Sequence, residues 1–180
     1  MPRHVAFLRA INVGGRRATR DQLIACLDSL GFENVTTFRA SGNLIFDAPR
    51  QPETALTKRI DDALTESLGY DVRAFLRTAA DVHAIAAHTA FPKKIVDASG
   101  GKLQVALLRK RPPKAARDDV LSMATADDLL AIHGTELYWL PSGGQMQTEL
   151  DLGAIDDLVG ENTRRTKNMV GEIAQKFLAD

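Results

Sequence analysis

The sequence predicts an α+β protein made of two ferredoxin-like (split βαβ) subdomains packed together. The first half of the chain reads as strand, helix, strand, strand, helix, strand, which is the order of a split βαβ unit. A second series of elements follows residue 101, and similar strand segments end at Arg9, Arg77 and Arg109. We therefore expect a first subdomain over residues 1–80, a helix and junction over 81–101, and a second subdomain with a C-terminal helix over 102–180.

Hydrophobic spacing defines the elements of the first half. Residues 4–11 are apolar on both sides, as in a buried strand. A capping box from Thr19 to Gln22 then begins a helix that stops at Gly31 and carries Cys26 on its apolar face, so we expect a core thiol there. The unit is completed by strands over 35–39 and 43–47, a helix over about 53–68 and a strand over 71–77.

Hydrophobic spacing and turn residues also define the elements of the second half, although the order of its elements is less regular. Residues 78–88 read as a short helix, and Pro92 with residues 97–101 reads as a flexible junction. The remaining elements are a strand over 102–109, a helix over 113–123, a hairpin of 128–133 with 136–140, a helical stretch over 150–159 and an amphipathic helix over 164–178.

Composition excludes several classes of protein. The chain has 180 residues, zero formal net charge and one cysteine, so an intrachain disulfide and a multi-cysteine metal site are excluded. His83 and His88 are five residues apart, whereas a helical metal pair needs four, and we predict no metal and no cofactor. No apolar run is long enough to span a membrane, and the N-terminus leads directly into a strand. We expect a cytoplasmic protein with no membrane partner.

Charge is unevenly distributed along the chain. Residues 93–117 carry eight basic side chains against Asp97 alone, and residues 118–150 carry six acidic and no basic ones. Solvated faces that neutralise each other explain such runs most simply, and a basic surface for an anionic partner is the alternative.

The segment from Phe7 to Gly15 is the most informative part of the sequence. It connects a strand to a helix N-terminus through a Gly14-Gly15 turn, where backbone N–H groups attract anions. Arg9, Arg16 and Arg17 add positive charge. The alternative is a tight turn with solvated arginines.

A second polar turn lies between the next two strands. It contains Ser41, Gly42 and Asn43, all of which are common turn residues. Because the first and third strands of a split βαβ unit are antiparallel neighbours, we expect this turn to lie beside Asn12 and the Gly14-Gly15 loop.

These motifs resemble those of a bacterial family of uncharacterised proteins. The chain has F-L-R-A-I-N-V-G-G, then L-G-F-x-N-V, then S-G-N-L-I-F, where the family's usual forms are L-L-R-G-I-N-V-G-G, L-G-F-x-N-V and Q-S-G-N-V-V-F. The resemblance implies two ferredoxin-like subdomains and no established activity. The family's C-terminal T-R-N-W-N-T pattern corresponds to residues 163–168, which adds Arg165 and Asn168 to the candidate site.

The chain departs from the family at three places. Ala10 replaces the usual glycine after the motif arginine, Ala40 replaces the usual glutamine before Ser41, and the C-terminal tryptophan is missing. These departures could change the ligand relative to other members.

The function that we predict from these residues is binding of a small anionic or phosphate-containing ligand. The candidate site comprises Arg9, Asn12, Gly14, Gly15, Arg17, Ser41, Gly42, Asn43, Arg165 and Asn168. Alternatives are RNA or single-stranded DNA binding, an enzyme that uses Ser41 or Asn12 without an identified base, and a purely structural role for the motif. The sequence leaves open the ligand's identity, the oligomeric state and whether any reaction is catalysed.

Overall fold

The computed structural model describes residues 1–39, 42–141 and 147–178, and these form two compact units. The first unit contains residues 1–82 together with the C-terminal residues from Ile173 onward, and the second contains His83–Glu172. The division therefore falls within the last helix of the chain.

The first unit is a four-stranded antiparallel sheet with helices on one face. Its elements are β1 (Arg3–Arg9), α1 (Arg20–Ser29), β2 (Glu33–Thr37), β3 (Asn43–Asp47), α2 (Glu53–Leu68), β4 (Arg73–Thr78) and α3 (Ala79–Ala87), the last of which runs into the second unit. The strand order is β2-β3-β1-β4, as in a ferredoxin-like fold. Ala6 and Leu8 of β1 belong to one buried cluster with apolar residues of α1 and α2, such as Leu27 and Ile60.

The second unit repeats this arrangement. Its elements are α4 (Lys93–Ala98), β5 (Gln104–Leu108), α5 (Lys114–Ser122), β6 (Asp128–His133), β7 (Glu136–Pro141), α6 (Leu152–Val159), β8 (Asn162–Thr166) and α7 (Lys167–Phe177), the last of which ends in the first unit. The sheet order is β6-β7-β5-β8, which is the order of the first sheet with each strand replaced by its counterpart. Ala106, Leu108 and Leu137 form its core with Val120 of α5 and Ile155 of α6.

The predicted fold class is confirmed, since both units have a ferredoxin-like sheet order. The predicted capping box is present: the Gln22 backbone N–H donates to Thr19 Oγ1, and the Thr19 N–H donates to Gln22 Oε1. Cys26 is buried, as predicted for a core thiol, and burial raises the pKa of its thiol.

The predictions for the end of the chain were partly wrong. Residues 164–166, predicted as the start of a helix, belong to strand β8, and the helix begins only at Lys167. Asn162–Thr166 contains no large apolar residue, so hydrophobic spacing does not mark it as a strand. β8 lies at the edge of its sheet, and the polar side chains of its buried Asn162 and Arg165 are hydrogen-bonded, so the strand needs no large apolar residue. Part of the predicted junction is also ordered, as helix α4.

None of the helices in the described ranges combines the length and the apolar character that crossing a membrane requires.

Candidate functional site

Ten residues, 10–19, connect β1 to α1 and include the predicted motif loop. Three of them have a positive φ: Ala10 at 55°, Gly14 at 63° and Gly15 at 84°. Glycine adopts this conformation without cost, whereas alanine does not. Gly14 and Gly15 are both exposed, and a Cβ atom at either would meet nothing within 4 Å, so the backbone conformation is what requires glycine there.

Hydrogen bonds within the loop hold its shape. The backbone N–H of Ala18 donates to Asn12 Oδ1 over 2.9 Å, and the N–H of Arg16 donates to the carbonyl of Val13 over 3.2 Å. The side-chain amide oxygen of Asn12 therefore closes the loop by accepting a hydrogen bond from its far end. The capping box at Thr19 already uses part of the hydrogen-bonding capacity at the start of α1.

Tyr70 is a residue of this site that the sequence did not reveal. Its hydroxyl donates to the carbonyl of Ile11 over 2.7 Å, and its ring lies 5.0 Å below the guanidinium carbon of Arg16. One side chain thus anchors the base of the loop and supports one of its cations. Tyr70 is 59 residues from Ile11 in the chain, so no local spacing could have indicated the contact.

The exposed Arg9 ends β1 directly opposite Arg73 of β4. Arg73 forms ion pairs with Asp71 at 3.2 Å and with Asp61 at 3.7 Å. Across the described ranges, by contrast, the side chains of Arg9 and Arg17 make no ion pair or ring contact. Arg9 therefore lies opposite an arginine whose charge two carboxylates already balance, and among these residues Arg9 holds no carboxylate of its own.

The second polar turn lies next to the end of β1, as expected. The carbonyl of Gly42 accepts a hydrogen bond from the N–H of Leu8 over 2.7 Å. A Cβ atom at Gly42 would stand 2.7 Å from Ile11 Cδ1, so a larger residue does not fit there. Asn43 pairs with Phe7 across the strands, which confirms the predicted neighbourhood of β1 and β3.

Asn43 itself does not face solvent. It is 0% exposed, and its Nδ2 donates to the carbonyl of Phe38 over 2.9 Å. Its observed role is to hold the turn between β2 and β3. Ser41 and Ala40 lie outside the described residues.

The two C-terminal candidates belong to the second unit. Arg165 on β8 is 8% exposed, and its Nη1 donates to Thr163 Oγ1 over 2.9 Å and to the carbonyl of Arg164 over 2.8 Å. Burial lowers the pKa of Arg165 to about 10, so it stays charged at neutral pH. Asn168, at the start of α7, is exposed, and its Nδ2 lies 2.9 Å from where a Cβ atom would sit on Gly101.

A ring stack in the second unit was also not foreseen. The His88 ring lies 4.4 Å from the His133 ring and 4.9 Å from the Tyr138 ring, measured between centroids. Burial lowers the pKa of His88, with smaller contributions in the same direction from His133 and Lys167. In the part of the chain that the structure describes, no three side chains of His, Cys, Asp or Glu gather in a way that could hold a metal ion.

The basic stretch over residues 93–117 is partly neutralised within its own unit. Lys93 pairs with Asp97 and Lys114 with Asp118, each one helical turn apart. Arg109 lies 3.6 Å from Glu161. This pattern agrees with the simpler interpretation of the charge run, that of a solvated surface.

Three comparisons with known proteins bear on these observations. Residues 1–138 match the profile of a family described as "Protein of unknown function (DUF1697)". The fold is similar to that of a solved structure, the conserved bacterial protein SP0830 from Streptococcus pneumoniae, with a TM-score of 0.73 and 18% identity over 97% of each chain. At that identity the likeness shows a shared fold alone. No curated protein matches the chain.

Proposed function

We propose that this chain, which belongs to the DUF1697 family of proteins of unknown function, binds an anionic, phosphate-containing ligand at one end of its first sheet. We call this end the Arg9 end: it comprises Arg9, Arg73, the loop of residues 10–19 and the described turn residues Phe38, Arg39 and Gly42. The proposal concerns binding and assigns no reaction.

The exposed Arg9, which makes no ion pair among the described residues, carries the proposal. Asp61 and Asp71 lie beside Arg73, whereas Arg9 is exposed and ready to pair with a ligand. A bound phosphate would supply the anionic partner that Arg9 lacks and would accept the two parallel hydrogen bonds that a guanidinium donates.

The length of the loop supports the same function. The second unit makes the equivalent connection, from β5 to α5, with the five residues 109–113, whereas the first unit uses the ten residues 10–19. The fold therefore does not need the longer loop. Its extra residues supply two exposed glycines and two exposed arginines, Arg16 and Arg17, on a backbone fixed by Asn12 and Tyr70.

Thermal unfolding in the presence of phosphate, sulfate and nucleotides tests the proposal. A ligand present at a hundred times its Kd stabilises the native state by about 2.7 kcal/mol, which raises the Tm of a chain of this size by about 5–10 °C. Arg9→Lys should shrink this shift although it keeps the charge, because the planar fork is lost. Arg50→Lys is the matched control, since Arg50 is exposed and follows β3 at the opposite end of the same sheet.

Two results would contradict the proposal. One is an equal Tm shift in the wild type and in Arg9→Lys. The other is the absence of any shift in the wild type up to millimolar ligand.

A further inference from the structure

We infer that the ligand of the Arg9 end is a single-stranded nucleic acid, whose successive phosphates and bases extend across the end of the sheet. This inference rests on the proposed function and specifies its ligand. It depends on the charge of the Arg9 end, on how far its cations are spread, and on the rings beneath two of its arginines.

The Arg9 end carries a marked excess of positive charge. Its connecting residues 10–19, 38–39, 42 and 69–72, with the two strand ends Arg9 and Arg73, contain five arginines and one carboxylate, Asp71. Asp71 is already paired with Arg73, and so is Asp61 of α2, which leaves the other four arginines in excess. All five cations are arginine, the residue that suits phosphate best because its fork matches two phosphate oxygens.

These arginines are spread over the sheet and do not converge on one point. Arg39 follows β2, Arg9 ends β1, and Arg73 begins β4, in a sheet ordered β2-β3-β1-β4. Three inter-strand spacings of about 4.8 Å separate the outer strands, which gives a width of about 14 Å. A single phosphate cannot touch both sides of such a surface, whereas a chain of phosphates can.

Two of the arginines are supported by aromatic rings. The Arg16 guanidinium carbon lies 5.0 Å from the centre of the Tyr70 ring, and that of Arg39 lies 5.3 Å from the centre of the Phe38 ring. Both arginines are exposed. An arginine beside an aromatic ring presents both a guanidinium and a ring to a nucleobase, and stacking on such groups is a common way of binding unpaired bases. This feature favours a nucleic acid over a plain chain of phosphates, and a single strand over a duplex, whose bases are already stacked.

The second unit shows that this charge is not a requirement of the fold. At its equivalent end, the segments 109–113, 134–135 and 160–161 with the strand start Glu136 hold three basic and two acidic residues. Arg109 is paired there with Glu161, which leaves Lys110 and Arg111 as a matched control pair.

Fluorescence anisotropy with labelled oligouridines of two to twelve nucleotides tests the inference. Affinity should rise with length until the strand spans the about 14 Å of the Arg9 end, and then level off. Log Kd should depend steeply on log salt concentration, and Arg17→Gln should reduce that slope by about 0.7. Arg39→Gln should weaken binding of the longer oligomers about tenfold, because it removes a stacking platform. The double variant Lys110→Gln/Arg111→Gln should change neither the salt slope nor the affinity for the longer oligomers. Circular dichroism verifies that each variant is folded.

Each of the following outcomes would overturn the inference. If phosphate or mononucleotides stabilise the protein through Arg9 but longer oligomers bind no more tightly, the proposed function stands and the extended ligand is refuted. Binding of polyphosphate or duplex in preference to the single strand refutes the assignment of the ligand. An equal loss in Lys110→Gln/Arg111→Gln moves the binding surface to the second unit. If no anion binds at low salt, the proposed function fails as well.

Discussion

Replacing Ala10 with glycine should stabilise the protein, although it removes a methyl group. Ala10 has a φ of 55°, and the left-handed conformation costs a residue with a Cβ atom about 1–2 kcal/mol relative to glycine. Glycine also gives the unfolded chain more freedom, which offsets about 0.4–1 kcal/mol of this gain. Ala10 is exposed, so the lost methyl contributes little buried surface. The net effect is a gain of about 0.5–1 kcal/mol, or about 1–4 °C in Tm.

Urea and thermal unfolding of the wild type and of Ala10→Gly measure this difference. Ala25→Gly is the control, because Ala25 is also exposed but lies in the middle of α1, where glycine costs about 1 kcal/mol. The two substitutions make the same chemical change and should shift the midpoint in opposite directions. If both variants are destabilised alike, the conformational reasoning about Ala10 is refuted. The resembled family's usual residue at this position is glycine, which would then need another explanation.

Three further predictions concern other parts of the molecule. Tyr70→Phe keeps the ring beneath Arg16 but loses the hydrogen bond to Ile11, so we expect a loss of about 0.5–1.5 kcal/mol in the free energy of unfolding, and unchanged stability would contradict the anchoring role. Cys26→Ser should lower stability modestly, and rapid labelling of Cys26 by a thiol reagent in the native protein would contradict its burial. The pKa values of His4 and His88 are lowered from 6.5, chiefly by burial, so the unfolded state binds more protons below neutral pH. Stability should be fully present above about pH 7 and fall as the pH drops through 6.5. A Tm that rises as the pH falls through this interval would refute the assignment. NMR titration of the histidine ring protons would locate the groups responsible.

Whether a structural feature of this protein can be predicted from the sequence depends on whether the residues that define it are close together in the chain. The Thr19 capping box and the strand over 43–47 were predicted correctly, because each is defined by side chains a few residues apart. Strand β8 was missed because its residues are polar, and only its position beside β5 makes it a strand.

In the candidate site, too, the sequence predicted the local features but not the contacts between residues far apart in the chain. The motif around Gly14 and Gly15 identified the loop, and the expected order of strands brought Gly42 beside it. The burial of Asn43 depends on how the turn packs, and the support from Tyr70 depends on a contact across most of the first unit. Arg73, opposite Arg9, became visible only once the register of β1 and β4 was known.

The unequal lengths of the two strand–helix connections have a consequence for how such a protein diverges. The same connectivity occurs twice in one chain, and the copy with the short connection shows that the architecture survives without the long one. Residues 12–17 are exposed and lie outside the hydrophobic core, so we expect substitutions, insertions or deletions among them to leave the buried interior of the first unit intact. If the Arg9 end binds a ligand as proposed, changes in this loop can alter the ligand preference of relatives at little cost in stability, and the second unit shows the same fold with the shorter connection.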